Sequence, residues 1–277
     1  MSEQNLKVKD KNHIEDYIYF LMEKNNLKLE EAQKLFQMGW NCFGEEGFSG
    51  KNYGEFTEFY SEAYSWKYGP SEEIYHKTYE FHSSIDFFRM LGYPTYTCPR
   101  DLILYEELIN HLKDLDNQTD DIITIVDYGA GLAQVTLTLT KLLAEAGVKT
   151  KLIFIDIPRF THKEFLEFIG NRHNLNIEFI DITNDNPYPK IPAFDFIQIK
   201  DVFEHVHKPE KIVDNIESSI RNFGIISATT EDEGPEMMHV TRDLKVVRDR
   251  FESYNFNLIE KSFFNRGDIF QKGSTDE

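Results

Sequence analysis

The sequence predicts an α/β protein: a doubly wound, mostly parallel sheet of seven strands with an antiparallel last strand, preceded by a mainly helical region. Three observations carry this. From residue 122 onward, strand-like apolar runs alternate with amphipathic helical runs, the order that builds a parallel sheet through right-handed crossovers. The last two strand candidates, 256–264 and 267–272, are joined only through Asn265, Arg266 and Gly267, too short for a crossover, so they form an antiparallel hairpin. Composition also shifts near residue 121: the first 121 residues hold both Trp and 11 of the 14 Tyr.

That shift divides the chain into a mainly helical, aromatic-rich cap (1–121) and a sheet domain (122–277). In the cap, 13–24 and 28–38 carry apolar residues at helical spacing. Gly44, Gly47, Gly50 and Gly54 then mark a loop. Further helix is expected across 71–91 and 100–115, and 114–121 is a polar linker. In the second part, 122–128 is a β-branched run and 150–156, 176–181, 194–200 and 223–229 are the next strand candidates. Between them, 132–146, 161–173, 209–221 and 241–254 have the helical period, with Thr241 as the expected N-cap of the last.

At 277 residues and 40% hydrophobic content the chain is long and apolar enough for a large folded core. Its net charge of −18 repels phosphate backbones and anionic lipid, and the Lys and Arg residues are scattered, so neither a nucleic acid nor a membrane partner is expected. The first residues lack an apolar leader and no run approaches 18 apolar residues. Cys42 and Cys98 have no metal or disulfide spacing, which suits free thiols in a reducing compartment. A soluble, cytoplasmic protein is expected; nothing in the pattern specifies its oligomeric state.

The stretch 122–131 is the most informative. An apolar run ends in Asp127, followed by Tyr128, Gly129, Ala130 and Gly131, and a helical pattern opens at once. A strand running through a tight glycine turn into a helix is where α/β sheets bind nucleotide-like ligands. A dinucleotide fingerprint wants a third glycine, and Gln134 stands there. Asp127 would repel a pyrophosphate. It suits a ligand carrying an ammonium group.

Here the chain resembles the class I S-adenosylmethionine-dependent methyltransferases over about residues 122–272. Asp127, Tyr128, Gly129, Ala130 and Gly131 look like that family's first motif, which implies glycine backbone against the methionine part of the cofactor and Asp127 serving its amino group. Asp156 closes the second strand, where a carboxylate accepts hydrogen bonds from both ribose hydroxyls, and Ile157 would flank the adenine. Asp181 and Ile182 close the third strand, where the family commonly reads the adenine amino group. The resemblance implies S-adenosyl-L-methionine as methyl donor and S-adenosyl-L-homocysteine as product.

Residues 194–209 resemble the family's fourth-strand motif, close to the E-H-V-x-x-P version of many small-molecule enzymes, with Lys200, Asp201 and Val202 bordering the cofactor and Glu204 and His205 facing the acceptor. Methyl transfer to a hydroxyl requires removal of a proton, a task suited to an imidazole of ordinary pKa about 6.5. His205, Glu204 and His239 are therefore the catalytic candidates. Structural packing of the Glu-His pair beneath the cofactor loop is the competing account. Asp201, Glu204 and His205 also resemble the Mg²⁺-binding spacing of ubiquinone-pathway and small-RNA 3′-end methyltransferases, which have Glu in place of Asp201; His239 would complete such a divalent metal site.

These features predict a methyltransferase acting on a small polar acceptor, most simply at a hydroxyl oxygen of a sugar, natural-product or cell-surface-glycan precursor. N-methylation of a small amine is the alternative, favoured by Glu231, Asp232 and Glu233 and by the aromatic cap, some of whose residues would line an acceptor pocket. From another class, the chain would be a cofactor-binding regulatory or partner protein without turnover.

Overall fold

The computed structural model describes residues 14–43, 99–119, 122–158, 160–232, 239–241, 243–260 and 268–273. The expected helix 71–91 and the linking residues 265–267 lie outside them. The chain divides into two compact units, 1–106 with 159–174 and 107–158 with 175–277. The division therefore differs from the sequence boundary at 121: it falls inside a helix, and a segment between two strands clusters with the N-terminal residues.

The first unit contains α1 (Ile14–Asn25), α2 (Leu29–Phe43) and, from between two strands of the sheet, α5 (Phe160–His173). Tyr17, Phe20 and Leu21 of α1 are buried. Phe165 meets Tyr17 and Phe20 edge-on at 5.6 and 5.7 Å, and Phe168 meets Phe20 at 5.5 Å, a geometry that adds to the area the rings bury. Asp16 in the first turn of α1 is buried. Its Oδ1 lies 2.8 Å from His173 Nε2 and 3.2 Å from Arg172 Nε, so charges in the last turn of α5 offset the burial of that carboxylate.

The helix α3 (Pro99–Thr119) carries the division between the units. Its C-terminal part buries Ile109, Leu112 and Leu115, three residues apart along one face.

In the second unit, β1 (Ile123–Tyr128), β2 (Thr150–Asp156), β3 (Asn176–Asp181), β4 (Phe194–Ile199), β5 (Ile220–Ala228), β6 (Phe256–Glu260) and β7 (Asp268–Lys272) form one sheet of order β3-β2-β1-β4-β5-β7-β6. Pairings are parallel from β3 across to β5, and β7 runs antiparallel to both β5 and β6. The reversed final hairpin thus inserts its second arm into the sheet. Every residue of β1 and of β4 is buried, as central strands of a parallel sheet are, and their polar residues Thr124, Asp127, Asp195 and Gln198 are buried with the apolar ones.

The chain steps outward from β1 to β2 and β3, then returns to start β4 on the other side of β1. Right-handed crossovers in opposite directions put α4 (Gln134–Glu145) and α6 (Glu210–Glu217) on opposite faces. The two carboxyl ends at which the direction reverses, those of β1 and β4, border a crevice suited to a ligand. Phe203, Phe251, Phe256 and Phe270 belong to the same buried core; Phe251 stacks on Phe270 at 4.7 Å. This fastens β7 to α7 (Lys245–Ser253).

Several element boundaries differ from the sequence expectation. The polar linker expected over 114–121 is helical as far as Thr119, because α3 runs on past 115. The helix expected over 209–221 stops at Glu217, because the Ser219 hydroxyl donates to the Ile191 carbonyl and Ile220 already pairs with Phe194. The last helix starts at Lys245 rather than near 241. Thr241 is not its N-cap: its hydroxyl donates to the Val206 carbonyl at 2.6 Å. The N-cap is Leu244, whose own N–H donates to Asp232 Oδ1 at 2.7 Å just before the helix. Among the described residues no helix is long and apolar enough to cross a membrane.

Candidate functional site

The glycine turn follows β1 directly. Gly129 and Gly131 have φ of +73° and +52°, and Ala133 has φ 48°, so alternate residues are left-handed. For Ala133 that conformation costs about 1–2 kcal/mol, the kind of local strain that concentrates at ligand sites. Gly129 is required for a second reason. A Cβ there would lie 2.3 Å from Val202 Cγ2. Val202, after β4, is itself buried, so it presses the glycine turn from the neighbouring strand.

Asp127 is 3% exposed. The register sets it between Phe154 of β2 and Gln198 of β4. Its Oδ2 accepts the Thr136 hydroxyl at 2.6 Å and the Gln198 amide at 3.4 Å. Both donors are neutral. Burial pushes its carboxyl up to about 7, with the nearby Asp156 adding to the rise and the Thr136 hydrogen bond and Lys200 opposing it. Among the described residues the buried Tyr128 hydroxyl meets no hydrogen-bond partner, and burial, Tyr188 and Asp156 hold its ionisation above the ordinary range. Gln134 Nε2, at the first residue of α4, is another buried polar atom without a partner.

Asp156 ends β2 next to Asp181 of β3. Its Oδ2 accepts the Gly131 N–H and its Oδ1 the Ile157 N–H, each at 2.7 Å. The carboxylate therefore ties the glycine turn to the second strand and keeps lone pairs on both oxygens for further donors. Ile157 and Ile182 are half-buried and Asp181 is exposed. The Ile182 N–H donates to the Asp156 carbonyl at 2.8 Å, which holds the two strand ends together. Ala130 is buried, and its carbonyl accepts the Ala133 N–H.

After β4, Lys200 is half-buried and Asp201 exposed. Asp201 has φ 52°, which a short acid tolerates better than most residues. A 3₁₀ turn follows, Phe203–His205. Glu204 is 2% exposed and His239 5% exposed, whereas His205 is half-buried. His205 Nε2 lies 3.8 Å from Glu204 Oε1, and the rings of His205 and His239 meet edge-on at 5.1 Å. The three catalytic candidates are thus brought together, with ligand atoms within 4.8 Å of one another, and Asp201 is outside that group.

The acidic loop is partly committed elsewhere. Asp232 pairs with Arg248 at 3.0 Å as well as accepting the Leu244 N–H, and the guanidinium holds its carboxyl below the usual range. Glu231 is exposed, and Glu233 lies outside the described residues. Sequence reading did not find Thr136 and Gln198 as the holders of Asp127. A threonine nine residues after a strand-end acid is a usable local signal; Gln198, 71 residues away, has none without the strand pairing.

No known family pattern matches the sequence. No curated protein matches it either. Solved structures with similarity include the mitomycin 7-O-methyltransferase MmcR (13% identity, TM-score 0.45, covering 79% of this chain and 66% of that one). Precorrin-6y C5,15-methyltransferase from Geobacter metallireducens is similar over 61% of this chain and 86% of that one (12% identity, TM-score 0.40). The [4+2]-cyclase SpnF is similar over 57% of each chain (14% identity, TM-score 0.41).

Proposed function

We propose that the chain is an S-adenosylmethionine-dependent methyltransferase that transfers a methyl group to a hydroxyl oxygen of a small polar acceptor. The observation that carries the proposal is the pair of carboxylates flanking the glycine turn at the switch point. Asp127 is buried with only neutral donors in hydrogen-bond contact, and Asp156 beside it offers lone pairs at the end of β2. A ligand with an ammonium group and a ribose diol answers both. Its cation offsets the burial that raises Asp127, and its two hydroxyls donate to Asp156.

The cofactor would supply a methyl group already activated on a sulfonium. What the chain must add is alignment, exclusion of water and a place for the acceptor's proton. The Glu204, His205 and His239 group, of which His205 is the most accessible member, is the place for that proton. With the methyl group passing to the acceptor oxygen, this group of side chains would take up the acceptor's proton. The aromatic cap remains the proposed acceptor region. The commitment of Asp232 to Arg248 and α7 removes much of the support for a cationic acceptor.

Calorimetry with S-adenosylhomocysteine tests the cofactor. Binding at unit stoichiometry, weakened at least tenfold by Asp156→Ala, supports it; absence of binding overturns it. A methyl-transfer screen of polar metabolites then identifies the acceptor. Full turnover of His205→Ala would exclude His205 from taking the acceptor's proton.

A further inference from the structure

We infer that Glu204, His205 and His239 form a three-ligand site for a divalent transition ion of the zinc class, and not a four-ligand Mg²⁺ site that includes Asp201. The inference rests on the cluster itself and does not require the cofactor assignment above.

The backbone builds the cluster deliberately. The 3₁₀ turn is closed by the His205 N–H to the Val202 carbonyl at 3.0 Å, with Phe203 fixed in the core. The Glu204 carbonyl accepts two N–H groups, from Val240 at 2.7 Å and Thr241 at 3.0 Å, and the Thr241 hydroxyl reaches back to the Val206 carbonyl. Three hydrogen bonds thus stitch 240–241 to 204–206, and that stitching sets His239 beside His205.

The donor set chooses the ion. Two imidazole nitrogens and one carboxylate suit Zn²⁺ and its first-row neighbours, whereas Mg²⁺ prefers an octahedron of oxygens. Around a tetrahedral ion with bonds of about 2.0–2.1 Å, ligand atoms stand about 3.4 Å apart. The Glu204 Oε1 to His205 Nε2 separation of 3.8 Å is close to this, and no pair of ligand atoms exceeds 4.8 Å, so side-chain rotations complete the closure. Three protein ligands leave at least one position for an exogenous oxygen, of water or of an acceptor hydroxyl, whose pKa the ion would lower. Half-buried His205 marks the side from which that oxygen enters. Asp201 contributes nothing to the set: it is exposed and stands outside the group of mutually close ligand atoms.

The test is direct metal binding. The full chain, stripped with EDTA and kept reduced, is titrated with ZnCl₂, CoCl₂ and MgCl₂ by calorimetry, and metal content is read by mass spectrometry after dialysis. The expected result is one Zn²⁺ per chain, Mg²⁺ at least 100-fold weaker, and a Co²⁺ spectrum without thiolate charge transfer, which excludes Cys42 and Cys98. Glu204→Gln and His239→Asn should each weaken Zn²⁺ at least 30-fold while far-UV circular dichroism stays native, and Asp201→Asn should leave it within threefold. Absence of stoichiometric Zn²⁺, equal loss in Asp201→Asn, or tighter Mg²⁺ than Zn²⁺ would overturn the site. S-adenosylhomocysteine titrations of the same samples read the cofactor assignment separately.

Discussion

Two buried aspartates at opposite ends of the central strands β1 and β4 are held in opposite ways. At the amino end, Asp195 of β4 is 7% exposed; its Oδ2 accepts the Thr124 N–H at 2.8 Å and the Arg221 guanidinium at 2.7 Å. At the carboxyl end, Asp127 of β1 is 3% exposed and its hydrogen-bond donors are a hydroxyl and an amide. One carboxylate is hydrogen-bonded by a cation of its own chain and the other by neutral groups. A buried acid with a built-in cation has its burial offset within the fold, and removing one partner is what costs stability. A buried acid pushed up to about 7 reduces stability at neutral pH, and a ligand that brings positive charge recovers it.

The largest effect expected from breaking this contrast is at the turn itself. Gly129→Ala puts a methyl against Val202 in a left-handed backbone, which should destabilise by about 3 kcal/mol or more from strain and overpacking together. Chemical denaturation measures it, and adding Val202→Ala should recover the packing part but not the backbone part.

Next comes Asp195→Ala. It leaves Arg221 and the Thr124 N–H without their acceptor and should destabilise by about 2–3 kcal/mol, discounted because Arg221 is partly exposed. S-adenosylhomocysteine affinity should stay within threefold. A large loss of affinity would mean that the two ends are not independent.

Asp127→Asn should do the reverse. Because folding raises the carboxyl from 3.8 to about 7, the folded state holds the proton that the unfolded chain has lost. Stability should fall as pH rises from about 4 to 7 and level off above, by about 1.4 kcal/mol per pH unit at most. The Asn variant should lose that slope and be the more stable protein at pH 8, while binding the ligand more weakly. The smallest effect is Thr136→Val, about 1 kcal/mol, with the titration of Asp127 moved upward. Thermal melts across pH 4–8 separate these cases.

The comparison also shows what a sequence can disclose. Asp127, the glycines and Asp156 were legible because each sits at a strand end marked by local pattern, and the reversed hairpin was legible from a link too short to cross the sheet. The role of Val202 was not: it depends on the turn after β4 pressing on the turn after β1. The meeting of His239 with Glu204 was proposed from motif likeness, yet the bonds that bring it about, from 240 and 241 to the Glu204 carbonyl, belong to tertiary structure. Those same bonds displaced the start of α7 to 245 by using Thr241 elsewhere. Tyr128 was read as part of the first motif and Gln134 only as the residue in a third glycine's place, while the structure buries a polar atom of each at the turn.

The central claim is that Asp127 is the counter-charge for a cationic nucleoside ligand. Calorimetry of S-adenosylhomocysteine binding from pH 5.5 to 8, on the native chain and on Asp127→Asn, tests it most directly. The account predicts affinity that weakens toward tenfold per unit below pH 7 in the native chain, and a weaker, pH-independent affinity in the variant. Absence of binding, or the same pH profile in both proteins, would contradict it.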